Sequence, residues 1–407
     1  LGYKEFQTSG KFVKKMEQLG LRTEKGFAIT GVKAYLNEDK KENASLALLG
    51  ELDALRIPEH AFANPETNAA HCCGHHAQMA GVFGAALALT VPEIAEKLDG
   101  QVVFFATPAE EYGEIEFKNQ LREQGKIRYG GGKCELLRIG AFDDIDLCLT
   151  HHIRPGNEIL VGSGTGNGFV SKVIRVLGKA SHAAGAPEKG VNALSAASLG
   201  LQALGLNRET FRDEDCVRVH PIITKGGNLV NVIPDEVVVE TLVRGKTIEA
   251  FTDAAKKTDR SFKAGAIAMG AKVEISTLPG YLPTLAEEAL PELKHAAEIS
   301  ASGIPVIEAS GHAGGSTDVG DVQHLMPVYT FNTGGVKGGL HQIDFEVTDE
   351  EEAYIVTAKM FALAAYGLLK EKAQRSRELV DQYEPVFKNS AEYVEFMEQF
   401  DSKEIFE

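Results

Sequence analysis

The stretch Gln101 to Glu111, QVVFFATPAEE, decides how this chain folds. Its first seven residues are an almost unbroken apolar run with β-branched and aromatic side chains. It is too short for a buried helix and reads as a strand covered on both faces. The run stops at Pro108, and two adjacent carboxylates, Glu110 and Glu111, follow at its carboxyl end. In an open α/β sheet, sites form off the carboxyl ends of the strands. Adjacent carboxylates there repel one another, so they call for a compensating cation. One of the two can ligate a metal while its neighbour serves as a general base.

Working outward, Ser45 to Leu52 is a second buried strand that ends in Glu51 and Asp53, and Ile145 to Thr150 is a third. Helical spacing runs through Phe6, Phe12, Val13, Met16 and Leu19 and stops near Gly20. A second helix carries Met79, Val82, Phe83, Ala86 and Leu87 on one face. Strands alternating with helices imply an α/β fold with a mostly parallel sheet covered on both faces. From about Val170 the pattern changes. Strand 170–177, helix 192–206, strands 217–223 and 236–243, helix 247–269 and strand 272–276 follow in β-α-β-β-α-β order, an α+β sandwich. The reading is a catalytic domain (1–167 and 279–407) with a compact domain inserted at 168–278. Helix 285–300, strand 327–331 and helix 348–370 continue the first domain, and a charged tail, 371–407, is expected to be surface helix.

Four segments carry chemistry. His71-Cys72-Cys73-Gly74-His75-His76 packs several potential ligands into six residues, and Gly74 lets the chain turn so that Cys73 and His75 point one way. Glu110-Glu111, His151-His152 and Gly339-Leu340-His341 complete the set. Taken singly, each has a bland reading: a buried thiol, a solvated acidic turn, a structural histidine. Their convergence shifts the balance, because three of the four follow predicted strands at the same edge of the sheet. Sulfur, nitrogen and carboxylate donors suit zinc, with manganese or cobalt also accommodated. The donors outnumber one open tetrahedral site, and two ions about 3.5–4 Å apart would use them all. Gly130-Gly131-Gly132-Lys133 lacks the spacing and hydroxyl of a phosphate loop and reads as a turn opening a helix. Gly162 to Gly166 reads as a hinge, and Ser163 has no nucleophile context.

The bulk numbers exclude other classes. A net charge of -16 argues against nucleic acid as partner. Five scattered cysteines do not form a disulfide framework. A reducing, cytoplasmic setting is expected, although the chain begins at Leu1 and a removed targeting segment is left open. No run approaches a membrane span of ~18 apolar residues, so no membrane partner is expected.

The combination resembles the aminoacylase/carboxypeptidase superfamily of two-metal peptidases, nearest its amidohydrolase branch of hippurate, auxin-conjugate and aminobenzoyl-glutamate hydrolases. The matching pieces include Glu51 to Leu55, His71 to His75, Pro108 to Glu111, His152 to Pro155, Gly178 to Ala184, Asn231 to Asp235, Gly315 to Asp318 and Leu340-His341. The resemblance implies that Cys73 bridges two divalent ions (Zn2+ or Mn2+, with Co2+ a further candidate), with His75, Glu111, His152 and His341 completing their shells. It implies Glu110 as general base, His182 as the group that polarises the scissile carbonyl, Asn231 and Arg244 as substrate-binding residues, and Asp53 as a residue that orients ligands. His182 lies far in sequence from every ligand. Domain closure or a partner subunit must therefore bring it to the site, and a homodimer through the inserted domain is expected. The implied reaction is hydrolysis of the amide bond of a small N-acyl amino acid or aminobenzoyl-glutamate-like conjugate. The alternatives are a dipeptidase or aminopeptidase on the same fold, or a metal-binding relative without catalysis. His76, Cys72 and Thr317-Asp318-Val319 depart from the common pattern, which leaves the substrate open.

Overall fold

The strand Gln101–Thr107 is buried along its whole length, as is its neighbour Ser45–Glu51. The computed structural model describes residues 1–301 and 303–407. The chain divides into two compact units. The first comprises Leu1–Thr165, Leu285–His312 and Asp321–Tyr393, and the second comprises Gly166–Thr284, Ala313–Gly320 and Val394–Glu407.

The first unit is built on an eight-stranded sheet. Its order is Arg22–Phe27, Gly31–Leu36, Gln101–Thr107, Ser45–Glu51, Leu147–Ile153, Val328–Thr333, Ile159–Val161, Val306–Glu308. The four central strands run parallel, with Glu51 level with Thr107 and His152 level with Asn332. Their carboxyl ends therefore meet at one edge, where Glu51, the Glu110-Glu111 turn and His152 emerge. The hairpin Arg22–Phe27/Gly31–Leu36 adds two antiparallel strands that the alternation pattern did not single out. Helix His75–Leu89 lies on the sheet and buries Met79, Val82, Ala85 and Ala86 in a core shared with Leu46, Leu48, Phe104 and Phe361.

The expected helix 285–300 forms only over Pro291–Ser300. Proline fits the first helical turn, where its missing N–H is not needed. Among the described residues, one helix, Glu351–Gln382, is long and apolar enough to cross a membrane, against the expectation that no run comes close. It earns that description as a core helix: Met360, Phe361, Ala364, Ala365, Leu368 and Leu369 are buried in the central cluster.

In the second unit, strands Gly168–Leu177, Glu236–Gly245 and Lys272–Tyr281 pair antiparallel, and helices Ala193–Leu206 and Ile248–Met269 cover them. Glu236–Gly245 alternates between half-buried and buried along its length. Ala196, Ala197, Phe262 and Ala266 from the helices meet Ile174, Val176, Val237, Val239 and Val273 from the sheet. The expected strand 217–223 is broken into Arg218–Val219 and Ile222–Lys225. The helical reading of the tail fails at its end. Ser402–Phe406 is a strand on the free edge of Lys272–Tyr281, with Phe406 opposite Val273, and it belongs to the second unit. An uncovered edge exposes unpaired backbone groups, and this strand satisfies them. Ion pairs Lys263–Glu404 and Lys272–Glu407 accompany it.

Candidate metal centre

Gly74 takes φ +86, and a Cβ there would lie 2.1 Å from Ile153 Cγ2, so only glycine fits this turn. The turn brings Cys73 and His75 to the same side. His75 is buried, and its Nδ1 donates to the Asp53 carbonyl (3.1 Å) and carboxylate (3.2 Å). A ring proton is thereby fixed on Nδ1, and Nε2 is the nitrogen left to take a cation; with no metal bound, Glu51, Cys73 and Asp53 outweigh burial and favour a second proton there. His152 is arranged in the same way: its Nδ1 donates to the Ile153 carbonyl at 2.7 Å, and its Nε2 faces Cys73 Sγ at 3.4 Å. Anchoring the far nitrogen of the ring is how metal-binding histidines are oriented.

Two groups of donors share one atom. Cys73, His75 and His152 offer ligand atoms within 4.8 Å of one another, and so do Cys73, Glu111 and His341. His341 Nε2 lies 3.2 Å from Cys73 Sγ and 3.1 Å from Glu111 Oε1. A third group joins His75, Glu110 and Glu111, with Glu110 Oε2 4.0 Å from His75 Nε2.

The residues fit divalent cations on a direct observation: His75 Nε2 and Glu111 Oε1 are buried and make no hydrogen bond. Glu51 Oε2 lies 3.2 Å from the first and His341 Nε2 3.1 Å from the second without making a hydrogen bond, and buried polar atoms left so are costly. Burial pushes the Cys73 thiol well above its ordinary range, so a thiolate at this position needs adjacent positive charge. A divalent ion in each donor group would supply the missing partner.

Asp53 holds two parts of the centre together. It is fully buried, accepts from His75 with one oxygen, and accepts the Glu111 N–H at 2.9 Å with the other. Burial alone would raise its carboxyl, but the hydrogen bond and charge of His75 and the Glu111 N–H hold it well below its usual range. Lys118 steadies the same turn by donating to the Glu111 carbonyl at 2.7 Å.

The rest of the cysteine–histidine run does other work. Cys72 is buried in an apolar cluster with Ala77, Ile153 and Phe345. Neither His71 nor His76 belongs to a donor group among the described residues. Burial depresses His71 to about 3 and His76 to about 4, and the two rings lie 5.5 Å apart.

His182, Asn231 and Arg244 belong to the second unit. His182 and Asn231 are neighbours: the Ala183 N–H donates to the Asn231 carbonyl at 3.0 Å, and His182 bridges to Val232. His182 Nδ1 accepts the N–H groups of Gly185 (2.9 Å) and Ala184 (3.2 Å). A neutral ring therefore carries its proton on Nε2 and presents a donor there. Arg244 donates to Ser316 Oγ at 3.2 Å and lies over the Phe169 ring.

Two residues of the centre, Glu51 and Lys133, carry no site role in the sequence reading. Glu51 Oε2 lies 3.2 Å from His75 Nε2, and Glu51 Oε1 accepts from Lys133 Nζ at 2.5 Å. Burial would raise Glu51, yet the charges of Lys133 and His75 hold it below its ordinary value. The signal was available: a charge that ends a fully apolar strand requires a buried partner.

The chain belongs to peptidase family M20/M25/M40, whose model matches residues 47–366. It is 28% identical over 311 residues to the Xaa-Arg dipeptidase of Mus musculus, covering 74% of this chain but 64% of that protein. The chain thus spans less than two thirds of the length of that relative. Identity to the N-acetyl-L-cysteine deacetylase of Bacillus subtilis (strain 168) is 25% over 389 residues, 93% of this chain and 86% of that one. An IAA-amino acid hydrolase of Arabidopsis thaliana, ILR1-like 2, is 31% identical over 62% of this chain and 53% of its own. Among solved structures, a dinuclear metal binding peptidase of the M20 family from Bacillus subtilis superposes with TM-score 0.61 at 24% identity, covering 91% of this chain and 94% of that one. The aminobenzoyl-glutamate utilization protein from Klebsiella pneumoniae gives TM-score 0.63 at 19% identity, covering 91% and 93%. At these identities the structures establish the shared fold.

Proposed function

We propose that this protein is a two-metal amidohydrolase that cleaves the amide bond of a small N-acyl amino acid or aminobenzoyl-glutamate-like conjugate. One observation carries the reading: the Cys73 thiol belongs to both donor groups, Cys73/His75/His152 and Cys73/Glu111/His341. A sulfur shared in this way suits a bridge between two zinc or manganese ions, with cobalt a workable substitute.

Bound ions would supply Lewis acidity toward the scissile carbonyl and toward the attacking water. Glu110, next to the ligand Glu111, takes the proton from that water and returns it to the leaving nitrogen. His182 Nε2–H donates to the carbonyl oxygen as negative charge develops there. Asn231, beside it, and Arg244, a fixed cation, hold the substrate's polar and carboxylate groups. Relatives that act on N-acyl amino acids favour this substrate class, and the N-acetyl-L-cysteine deacetylase match spans most of both chains. The dipeptidase match supports a second reading, hydrolysis of dipeptides on the same centre. The five free cysteines fit a reducing, cytoplasmic setting.

Metal-loaded protein assayed on a panel of N-acyl amino acids and dipeptides separates these readings. Turnover of acyl amino acids above dipeptides is expected. Glu110→Gln should keep the ions and lose at least ~100-fold in turnover. No hydrolysis of any panel member by wild type with ions bound would leave a metal-binding protein without catalysis.

A homodimer through the second unit belongs to the same proposal. The edge strand Ile222–Lys225 is exposed throughout, and Ile222 and Ile223 on it and Leu229 and Val230 shortly after it are exposed apolar residues. Sedimentation should give twice the 43.9 kDa chain mass, and Ile222→Lys should yield monomer. A wild-type monomer at micromolar concentration would refute the dimer.

A further inference from the structure

We infer that Lys133 is a positioning residue for the His75 side of the metal centre, acting through the Glu51 carboxylate. The inference rests on the two-ion reading above and concerns residues which that reading does not use.

Lys133 is fully buried, and its Nζ donates to Glu51 Oε1 at 2.5 Å. The other oxygen of the same carboxylate lies 3.2 Å from His75 Nε2, the ring nitrogen that Asp53 does not engage. Burying two charges is expensive, and a buried ion pair commonly adds little net stability over apolar residues of the same shape. Its placement one contact from a coordinating nitrogen gives it a different use. With one oxygen tied to Lys133, the carboxylate cannot rotate freely, and its second oxygen stays beside His75 Nε2, the nitrogen that would bind an ion held by Cys73, His75 and His152.

The start of helix Gly132–Arg138, which carries Lys133, also braces the other side of the centre. Gly132 N–H donates to the Ala109 carbonyl at 3.0 Å, and a Cβ on Gly132 would sit 1.6 Å from the Pro108 carbonyl oxygen. Ala109 has φ +48, a strained conformation for a residue with a side chain, and its N–H donates to the buried Glu5 carboxylate at 2.9 Å. Both peptide groups of Ala109 are thus pinned immediately before Glu110 and Glu111. The glycine-rich segment that resembles a phosphate loop therefore works as a clamp, with Lys133 on the strand-end carboxylate and Gly132 on the turn of the paired glutamates.

The test compares wild type with Lys133→Met, Glu51→Gln and the double variant Glu51→Gln/Lys133→Met. Each is dialysed against graded chelator at temperatures well below its melting point, and retained metal is measured by elemental analysis. Loss of a residue that orients ligands costs about 10–100-fold in metal affinity. Each variant should release one of its two ions at chelator concentrations at least ~10-fold below those wild type withstands, while the second ion stays. The thiolate-to-metal absorption of cobalt-loaded protein should shift in parallel. The double variant removes both charges of the Lys133–Glu51 pair, so it avoids the unpaired Glu51 carboxylate that Lys133→Met leaves. A double variant with both ions at wild-type chelator resistance would overturn the inference and leave the pair a folding element. Failure of all three variants to fold with ions supplied would overturn it in the same way. Wild type holding fewer than two ions is a separate outcome, and it defeats the two-ion reading itself.

Discussion

Two sets of enclosed acids in the first unit meet opposite fates. Glu51 and Asp53, at the carboxyl edge of the sheet, are buried and held below their ordinary range by Lys133, by His75 and by the Glu111 N–H. Glu287, against strand Val328–Thr333, accepts the Thr330 N–H (2.8 Å) and hydroxyl (3.3 Å), with no further side-chain partner among the described residues, and burial pushes it well above its ordinary value. Two neutral donors do not offset desolvation of a carboxylate, whereas a built-in cation does. The sheet edge therefore carries positive partners that keep its acids ionised, and His75 Nε2 and Glu111 Oε1 there still make no hydrogen bond. That combination is what an ion-binding edge requires, and the Glu287 site lacks it.

The sharpest way to break the comparison is to leave the acids in place and remove a group that acts on substrate alone. His182→Ala should lower turnover by about 10²–10³-fold, the usual loss for one donor to a developing oxyanion, while both ions remain bound. His182→Gln, which keeps a donor near the Nε2 position, should recover part of it. An unchanged turnover number in His182→Ala would show that the acid-lined centre suffices and would remove His182 from the mechanism.

A smaller effect tests the other acid. The folded state holds the Glu287 proton at pH values where the unfolded chain, titrating near 4.5, has lost it. Its contribution to stability is thus present below about pH 4.5 and is lost as pH rises through the folded-state value. Glu287→Gln keeps the acceptor and cannot ionise. It should be more stable than wild type at neutral pH by on the order of 1 kcal/mol or more, and the gap should close as pH falls toward 4.5. Denaturant melts at pH 4 and pH 7 measure this. A gap that widens on acidification would mean that Glu287 is ionised in the fold.

The same contrast explains what the sequence discloses. Cys73, His75, Glu111, His152 and His341 were legible because ligands on glycine turns and strand ends obey local rules, and three of their segments follow apolar runs that mark one sheet edge. The inserted α+β pattern was legible for a similar reason: the alternation of Glu236–Gly245 is strict. Lys133 was not legible, because a lysine after three glycines looks solvated until the tertiary fold buries it against Glu51. The strand Ser402–Phe406 was hidden because an edge strand with one exposed face, rich in Lys and Glu, has the composition of a surface helix. His71 and Cys72 carry the ligand residue types but turn into packing, a distinction set by side-chain direction at a single turn.

The most direct test of the central claim is elemental analysis of wild type and Cys73→Ser, both purified without chelator. Cys73 is the one atom source common to both donor groups, so the account predicts close to two divalent ions per wild-type chain. Cys73→Ser should lose both, and Cys72→Ala should keep both with a stability loss of about 1 kcal/mol from its packed site. Wild type at or below one ion per chain, or Cys73→Ser that still holds two, would contradict the shared-thiolate centre.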